Sequence, residues 1–229
     1  MKLLFINAKA KLNDIDLAEA IKAIKNYKTI SLISTVQFLH LLDKTKAKLE
    51  AAGYKVLIGM PKVHAINKGQ VLGCDVSAIA EKADCVLYIG TGKFHPLGIA
   101  ASSAANLPMF CVEPFSGSVE RVSAQEIRKF QLKQQARIAG FKAAKKVGIL
   151  VTLKPGQHEM QGHVERIKEK LEKEGKQVFV FIGDTINPSE LENFPQIEAW
   201  VNTACPRMVD DQELYKKPIV NASEALSDS

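Results

Sequence analysis

Two stretches of the chain repeat one pattern, in which a helical segment ends at a glycine and a short apolar run follows. The stretches are residues 48–59 and residues 170–183. Duplicated units tend to adopt the same fold, so the repeat predicts two similar domains. At 229 residues the chain is long enough for each domain to bury its own hydrophobic core.

Apolar runs alternate with segments of helical periodicity along the whole chain. The runs predict strands at residues 3–7, 29–33, 55–58, 85–89, 108–112, 147–151, 178–182 and 200–203. The periodicity predicts helices at residues 16–25, 36–52, 76–82, 96–105, 123–145, 160–174 and 188–193. Alternating strands and helices favour parallel sheets with crossover helices. The expected fold class is α/β, with two similar parallel-sheet domains at residues 1–145 and 146–229 that face a central cleft.

Composition restricts the classes of protein that the chain can belong to. Hydrophobic residues make up 46% and charged residues 24%, as in ordinary globular proteins. No apolar stretch approaches the length of a bilayer span, and the amino terminus has no cleavage site, so we expect a cytoplasmic protein without membrane contacts. In that reducing compartment, four cysteines are expected to pack in the core or bind metal rather than form disulfides.

Much of the net charge of +6 comes from one basic helical segment, residues 120–146. Such a segment is either a solvated face over an apolar stripe or a docking surface for an acidic or ribosome-associated partner. No direct contact with nucleic acid is expected.

Two of the cysteines, Cys74 and Cys205, each close a strand-like run, in what we interpret as matching places of the two halves. In α/β folds the loops at the carboxyl ends of the strands form the ligand crevice. The chain has no CxxC, HExxH or Walker motif, so any metal site must be assembled from distant residues. Thiolates suit an iron–sulfur cluster or zinc, although each cysteine could instead be a small buried hydrophobe.

Three segments resemble, in order and spacing, the diphthamide biosynthesis family. They are GQVLGC at residues 69–74, YIGTGKFH at 88–95 and AWVNTACPR at 199–207. Further matches lie at residues 32–38, 113–116, 148–153 and 187–191. The resemblance as a whole covers nearly all of the chain, from Leu3 to Leu226. More specifically, these segments are similar to the family's radical-forming subunit.

The resemblance implies an iron–sulfur enzyme. In the family, three cysteines, one from each of three similar domains, hold a 4Fe–4S cluster whose remaining iron binds S-adenosylmethionine. Reductive cleavage gives a 3-amino-3-carboxypropyl radical, which adds to C2 of a histidine imidazole in elongation factor 2, the first step towards diphthamide. By matched motif, Cys74 is the metal ligand of the second domain and Cys205 that of the third. The family also implies a homodimer or a heteromer.

One part of the family pattern has no match in the sequence. Family members carry a further domain in front with the first cysteine ligand, and Met1 falls where their second domain begins. Four explanations are open. A separate chain supplies that domain, Cys111 or Cys85 substitutes for its cysteine, the cluster is lost, or the chain is truncated. Core packing is the favoured interpretation for Cys85 and Cys111.

Two loops are candidates for binding the S-adenosylmethionine moiety. Gly90, Thr91 and Gly92 lie between a predicted strand and a predicted helix, where backbone amides could bind a carboxylate, or where the glycines simply allow a tight turn. Thr152 and Gln157 belong to the equivalent loop of the second half.

His95 and Arg207 are the candidate catalytic residues. His95 is interpreted as an acid, a hydrogen-bond donor or a packed ring. Arg207 follows Cys205 closely and could pair with a substrate carboxylate, tune the charge of the cluster or cap the next turn. The other histidines, His40, His64, His158 and His163, form no ligand set in the sequence.

The leading hypothesis is therefore a subunit of the enzyme that transfers the 3-amino-3-carboxypropyl group to elongation factor 2. The alternative is a non-catalytic subunit on the same scaffold that docks elongation factor 2 or a partner chain. A zinc or redox protein of similar shape is a third hypothesis.

Overall fold

A computed structural model describes residue 6 and residues 8–73, 75–101, 107–153 and 161–227. Residue contacts divide the chain into two compact units, Met1–Gln131 and Leu132–Ser229. The division falls inside a long helix, Ala124–Ala143. The boundary expected from the sequence, between residues 145 and 146, lies just beyond the end of that helix and stays a prediction.

The first unit contains a five-stranded sheet. Its strands are β1 (Thr29–Ser34), β2 (Lys55–Leu57), β3 (Cys85–Ile89), β4 (Met109–Val112) and β5 (Val119–Arg121). Their order is β2-β1-β3-β4-β5, with β5 antiparallel to β4 and the others parallel. The helices are α1 (Ala18–Ala23), α2 (Leu42–Ala51), which continues a 3-10 turn at Val36–Leu41, α3 (Phe94–Ala101) and the long helix α4 (Ala124–Ala143).

The second unit contains a four-stranded parallel sheet. Its strands are β6 (Lys146–Thr152), β7 (Gln177–Gly183), β8 (Ala199–Asn202) and β9 (Ile219–Asn221), in the order β7-β6-β8-β9. The helices are α5 (Gln161–Lys173) and α6 (Ala222–Leu226), and 3-10 segments lie at Glu190–Asn193 and Pro206–Leu214. The α/β fold class predicted from the sequence is confirmed.

The two sheets share one strand order, because the second parallel strand of each unit lies at the edge, followed by the first, third and fourth. The repeated sequence pattern underlies the same local structure in both. Helix α2 is followed by Gly53 (φ +93°) and helix α5 by Gly175 (φ +82°), and both glycines lead into an edge strand. The repeat is therefore present in the structure as well as in the sequence.

Each sheet has a hydrophobic core on both faces, as continuous apolar runs indicate, although the edge strand β7 is partly exposed. In the first unit, alternate residues of one strand enter different cores, so Leu32 packs on one face and Ile33 on the other. In the second unit, Ile149 and Leu150 divide in the same way.

One expected helix is absent, the expected helix at residues 188–193 is only a 3-10 segment at Glu190–Asn193, and two strands were not expected. Residues 76–82 form turns rather than a helix, because the Asp75 side chain accepts the Ser77 backbone N–H at 3.0 Å and competes with helical hydrogen bonding. Strands β5 and β9 escaped prediction because each has only three residues. Among the described residues, no helix is both long enough and apolar enough to cross a bilayer.

Candidate functional site

The carboxyl edge of the second sheet carries a cavity of about 330 Å³. Parallel strands end at the same edge, so residues that follow β6, β7 and β8 converge there. The lining residues are Thr152, Asp184, Thr185, Ile186, Pro188, Ala204, Cys205, Met208, Asp211, Leu214 and Tyr215. Two residues singled out in the sequence, Thr152 and Cys205, thus line one cavity although they are distant in the chain.

The cavity combines a thiol, hydroxyl groups, carboxylates and apolar side chains. Cys205 is half-buried and belongs to no disulfide. Thr152 is buried, and its Oγ1 donates a hydrogen bond to the carbonyl oxygen of Asp184 at 3.3 Å. Burial, and then the charge of Asp211, raises the pKa of Tyr215, so its phenol stays neutral and keeps a proton to donate. The cavity can therefore hold a polar ligand that also carries an apolar part.

The backbone around Cys205 is fixed by side chains of the same unit. Asn202, the last residue of β8, accepts a hydrogen bond from Ala204 N at 2.9 Å and donates one to Cys205 O at 2.8 Å. Met208 N also donates to Cys205 O, at 3.0 Å. The sequence analysis did not select Asn202, although a polar residue that ends an apolar run is a signal for such a role.

Arg207 forms a local ion pair. Its Nε lies 3.1 Å from Asp210 Oδ2, and both side chains are largely buried. Burial raises the pKa of Asp210, while the guanidinium groups of Arg207 and Arg137 act in the opposite direction. The ion pair lies within the 3-10 segment at Pro206–Leu214, and the roles suggested for Arg207, catalytic or as a cap of the next turn, stay predictions.

In the first unit, Gly90, Thr91 and Gly92 form the loop between β3 and α3 that the sequence predicts. Gly90 is buried, and a Cβ at this position would lie 2.5 Å from the Tyr88 hydroxyl, so no larger residue fits. Gly92 adopts a positive φ of 70°, and both it and Thr91 are exposed. The loop thus has clear structural reasons for its glycines, and ligand binding there stays a prediction.

The side chains after this loop are held by neighbours in the first unit. Lys93 Nζ lies 2.8 Å from Glu120 Oε2 and 3.1 Å from Glu126 Oε1, and these carboxylates raise the pKa of Lys93. His95 is half-buried on α3. Its predicted catalytic role stays a prediction.

Cys74 and Gln157 lie outside the described residues. The segment just before Cys74 lies at the carboxyl end of β1, because Ser34 N donates to Gly69 O and Val71 N to Ser34 O, both at 2.9 Å.

Asp75, the residue after Cys74, organises this segment. Its carboxylate is buried and accepts hydrogen bonds from the backbone N–H groups of Val63, His64 and Ala65 at 3.3, 2.7 and 2.8 Å, and from Ser77. Burial alone would raise its pKa, but these hydrogen bonds hold the pKa of Asp75 well below its usual range. Asp75 is a second structural residue that the sequence analysis missed.

The expectation that Cys74 and Cys205 occupy matching places is wrong. Cys74 precedes β3, whereas Cys205 follows β8, which is the counterpart of β3 in the repeated strand order. The counterpart of the Cys205 loop is the Gly90 loop. The sequence pattern misled because both cysteines follow short apolar runs, only one of which is a strand.

Cys85 and Cys111 are core residues, as the sequence analysis favoured. They lie in β3 and β4 with 0% and 8% exposure, and burial raises the pKa of each thiol to about 12. A thiol that stays protonated and faces hydrophobic neighbours is a poor metal ligand. Within the described part of the chain, no group of three or more His, Cys, Asp or Glu side chains is arranged to hold a metal ion.

The fold and the site together define an α/β protein with two similar units, in which a half-buried thiol lines a cavity at the carboxyl edge of one sheet. The sequence profile of the diphthamide synthesis protein family matches residues 1–227, and the chain belongs to this family.

Two relatives carry the name of the same enzyme. The chain is 33% identical over 224 residues to the 2-(3-amino-3-carboxypropyl)histidine synthase of Pyrococcus horikoshii, covering 96% of this chain and 64% of that protein. It is 31% identical over 204 residues to subunit 1 of the same synthase from Aspergillus fumigatus, covering 87% of this chain and 44% of the relative. The chain thus spans less than two thirds of the length of these relatives.

A crystal structure of Dph2 from Pyrococcus horikoshii with a 4Fe–4S cluster has a similar fold. The TM-score is 0.78 at 31% identity, over 92% of this chain and 61% of that one.

Proposed function

We propose that this chain forms part of a 2-(3-amino-3-carboxypropyl)histidine synthase and carries cysteine ligands of its 4Fe–4S cluster. The observation that carries the proposal is the half-buried Cys205 thiol, which lines the cavity at the carboxyl edge of the second sheet. In the proposed enzyme, S-adenosylmethionine donates the 3-amino-3-carboxypropyl group, and a histidine of elongation factor 2 accepts it.

Among the described cysteines, Cys205 has the surroundings that suit a metal ligand. Cys205 is half-buried, free of disulfides and lines a cavity, whereas Cys85 and Cys111 are buried and have raised pKa values. The proposal assigns the second ligand of this chain to Cys74. When bound, the cluster supplies an electron and an open iron site for S-adenosylmethionine.

Other residues of the cavity have roles in binding. Tyr215 carries a hydroxyl group at the cavity and can donate a hydrogen bond to a carboxylate, whereas the hydroxyl of Thr152, which donates to Asp184 O, can accept one from an ammonium group. Ile186, Met208 and Leu214 supply an apolar surface that limits access of water to a reactive species. In the first unit, the backbone amides of the exposed residues Thr91 and Gly92 are a separate proposed contact for a carboxylate.

The overall reaction is balanced without a further reactant. The bond between sulfur and the methionine γ-carbon breaks, a carbon–carbon bond forms at C2 of the imidazole, and the C2 hydrogen leaves as a proton. One electron enters at the cleavage and one is returned when aromaticity is restored. The thioether formed from S-adenosylmethionine is the second product.

The proposed partners follow from the same activity. Elongation factor 2 is the protein substrate, and the working enzyme is a homodimer or a heteromer. Because that factor acts in translation, we place the reaction in the cytoplasm.

The test uses the full chain, purified without oxygen and reconstituted with ferrous iron, sulfide and the part of a family relative that this chain does not match. Elongation factor 2, S-adenosylmethionine labelled in the 3-amino-3-carboxypropyl group and dithionite as the electron donor are then added. We expect visible absorbance of an iron–sulfur cluster and transfer of the labelled group to the factor. Cys205→Ala should abolish both, because it removes a cluster thiolate. Cys111→Ala makes the same substitution at a buried cysteine and should leave both in place.

Equal absorbance and transfer in the wild type and in Cys205→Ala would contradict the proposal. If the absorbance is lost in Cys205→Ala while the factor is still modified by the other subunits, this chain has the supporting, non-catalytic role. Stoichiometric zinc in protein purified without added metal would favour the third hypothesis.

A further inference from the structure

Two asparagines end neighbouring strands next to Cys205. Asn202 is the last residue of β8 and Asn221 the last residue of β9, and the two are paired in the parallel register. Paired residues of parallel strands point to the same face of a sheet. Asn202 Nδ2 donates a hydrogen bond to Asn221 Oδ1 at 2.9 Å, so the side chains form a connected pair at the carboxyl edge.

This asparagine pair holds consecutive backbone groups around the Cys205 side chain. Asn202 binds Ala204 N through Oδ1 and Cys205 O through Nδ2, at 2.9 and 2.8 Å. Asn221 Nδ2 donates to the next carbonyl oxygen, that of Pro206, at 3.0 Å. The backbone is therefore held on both sides of the Cys205 Cα, and the direction of the Cα–Cβ bond is restricted.

The asparagine pair is itself anchored to a partly buried ion pair. Asn221 N donates to Glu224 Oε2 at 2.8 Å, and Glu224 Oε1 lies 2.6 Å from Arg137 Nη2. Arg137 is only 3% exposed, and its Nη1 donates to Ile219 O at 3.0 Å. Because Arg137 is buried, loss of Glu224 would leave its charge uncompensated, so the ion pair keeps Glu224, and with it Asn221, in place.

We propose that Asn202 and Asn221 are positioning residues that hold the Cys205 thiol towards the cavity before metal binds. The inference rests on the proposed function, in which Cys205 is a cluster ligand. A ligand that is already oriented loses less conformational freedom on binding, so the metal is held more tightly. The pair acts through the loop backbone.

The test compares three variants of the full chain with the wild type. Asn202→Asp keeps the acceptor for Ala204 N and loses both donated hydrogen bonds, whereas Asn221→Asp loses only the bond to Pro206 O. Thr203→Val is the matched control, because it removes the buried hydrogen bond from Thr203 Oγ1 to Leu150 O and leaves residues 204–206 untouched.

The first readout is the rate at which iodoacetamide alkylates Cys205 in the iron-free chain, measured by peptide mass spectrometry. Rates are compared at their high-pH limit, so that a new carboxylate does not act through the pKa of the thiol. We expect Asn202→Asp to react several-fold faster than the wild type, Asn221→Asp to be intermediate and Thr203→Val to be unchanged. Cys85 and Cys111, both buried, report whether each variant is folded.

The second readout is loss of iron to a chelator after the chain is reconstituted with ferrous iron, sulfide and the same part of a family relative. We expect Asn202→Asp to lose iron about tenfold faster than the wild type, in the range found for residues that orient metal ligands. Rates equal to that of Thr203→Val in both readouts would overturn the proposal.

If Asn202→Asp does not fold, Asn221→Asp decides the question, in either direction. A wild-type chain that binds no iron would count against the proposed function alone, because the alkylation comparison needs no metal.

Discussion

Burial and hydrogen bonding give individual side chains of this protein very different chemistry. Cys85 and Cys111 have pKa values raised to about 12 by burial, while Cys205 sits half-buried at a cavity. Asp75 is also buried, yet its pKa is lowered because several N–H groups and a hydroxyl donate to its carboxylate. Burial therefore keeps a thiol protonated, whereas a buried carboxylate stays ionised when enough hydrogen-bond donors offset the effect of burial.

The first prediction concerns Asp75. Asp75→Asn should lower the free energy of unfolding by about 2 kcal/mol at neutral pH, because buried N–H donors lose a charged acceptor. The lowered pKa of Asp75 means that its contribution is complete above 3.8, the ordinary value, and is lost as the pH falls below it. The difference between the wild type and the variant should therefore shrink from neutral pH to about pH 3, as measured by urea unfolding followed by circular dichroism.

Asp84→Asn is the control for this substitution. Asp84 accepts two backbone hydrogen bonds, from Lys28 N and Thr29 N, but it is exposed to solvent. We expect Asp84→Asn to lower the free energy of unfolding by only about 1 kcal/mol, because water can replace the lost hydrogen-bond acceptor. An equal cost for both variants would mean that burial of Asp75 contributes nothing.

At the scale of the elements, the same helix end occurs in both units. Gly53 N and Gly175 N donate to the carbonyl three residues earlier, and Tyr54 N and Lys176 N to the carbonyl five residues earlier. This pair of hydrogen bonds is the Schellman motif, which requires a residue with positive φ. The motif turns the chain from each helix into the edge strand of its sheet.

The second prediction concerns these glycines. Gly53→Ala and Gly175→Ala should each cost about 1 kcal/mol, because an L-residue is strained in the left-handed region. No atom lies within 4 Å of a Cβ added at either position, so the cost is one of backbone conformation alone. For Gly175, the fluorescence of Trp200, the single tryptophan of the chain, follows urea unfolding of the second unit.

Asparagine tolerates this backbone region better than alanine, so Gly175→Asn should be less destabilising than Gly175→Ala. The reverse order of the two variants would exclude backbone strain as the cause.

At the scale of the whole molecule, polar contacts connect elements that are far apart in sequence. In the second unit, Arg137 of α4 binds Ile219 O at the start of β9 and Glu224 of α6. The sequence analysis placed this arginine in a basic segment with a solvated face or a docking surface. That interpretation is wrong for Arg137. Its side chain is buried, and its charge is neutralised by Glu224 of the same unit.

The third prediction concerns this buried ion pair. Arg137→Met should destabilise the second unit by about 3 kcal/mol, because Glu224 loses its charged partner while a carbonyl loses a donor. Lys133→Met on the same helix removes an exposed pair with Glu213 and should cost less than about 1 kcal/mol. Urea unfolding followed by Trp200 fluorescence measures both, and equal midpoints for the two variants would contradict the expected difference.

The sequence by itself determined the α/β class, the repeat and the burial of Cys85 and Cys111, because these depend on local periodicity and on apolar runs. It also placed Thr152 and Cys205 at strand ends. Only the tertiary structure decided that Cys74 and Cys205 follow different elements of the repeat and that Asn221 lies next to Asn202. These relations depend on strand order and register, which are set by packing between distant segments and leave no trace in the local pattern.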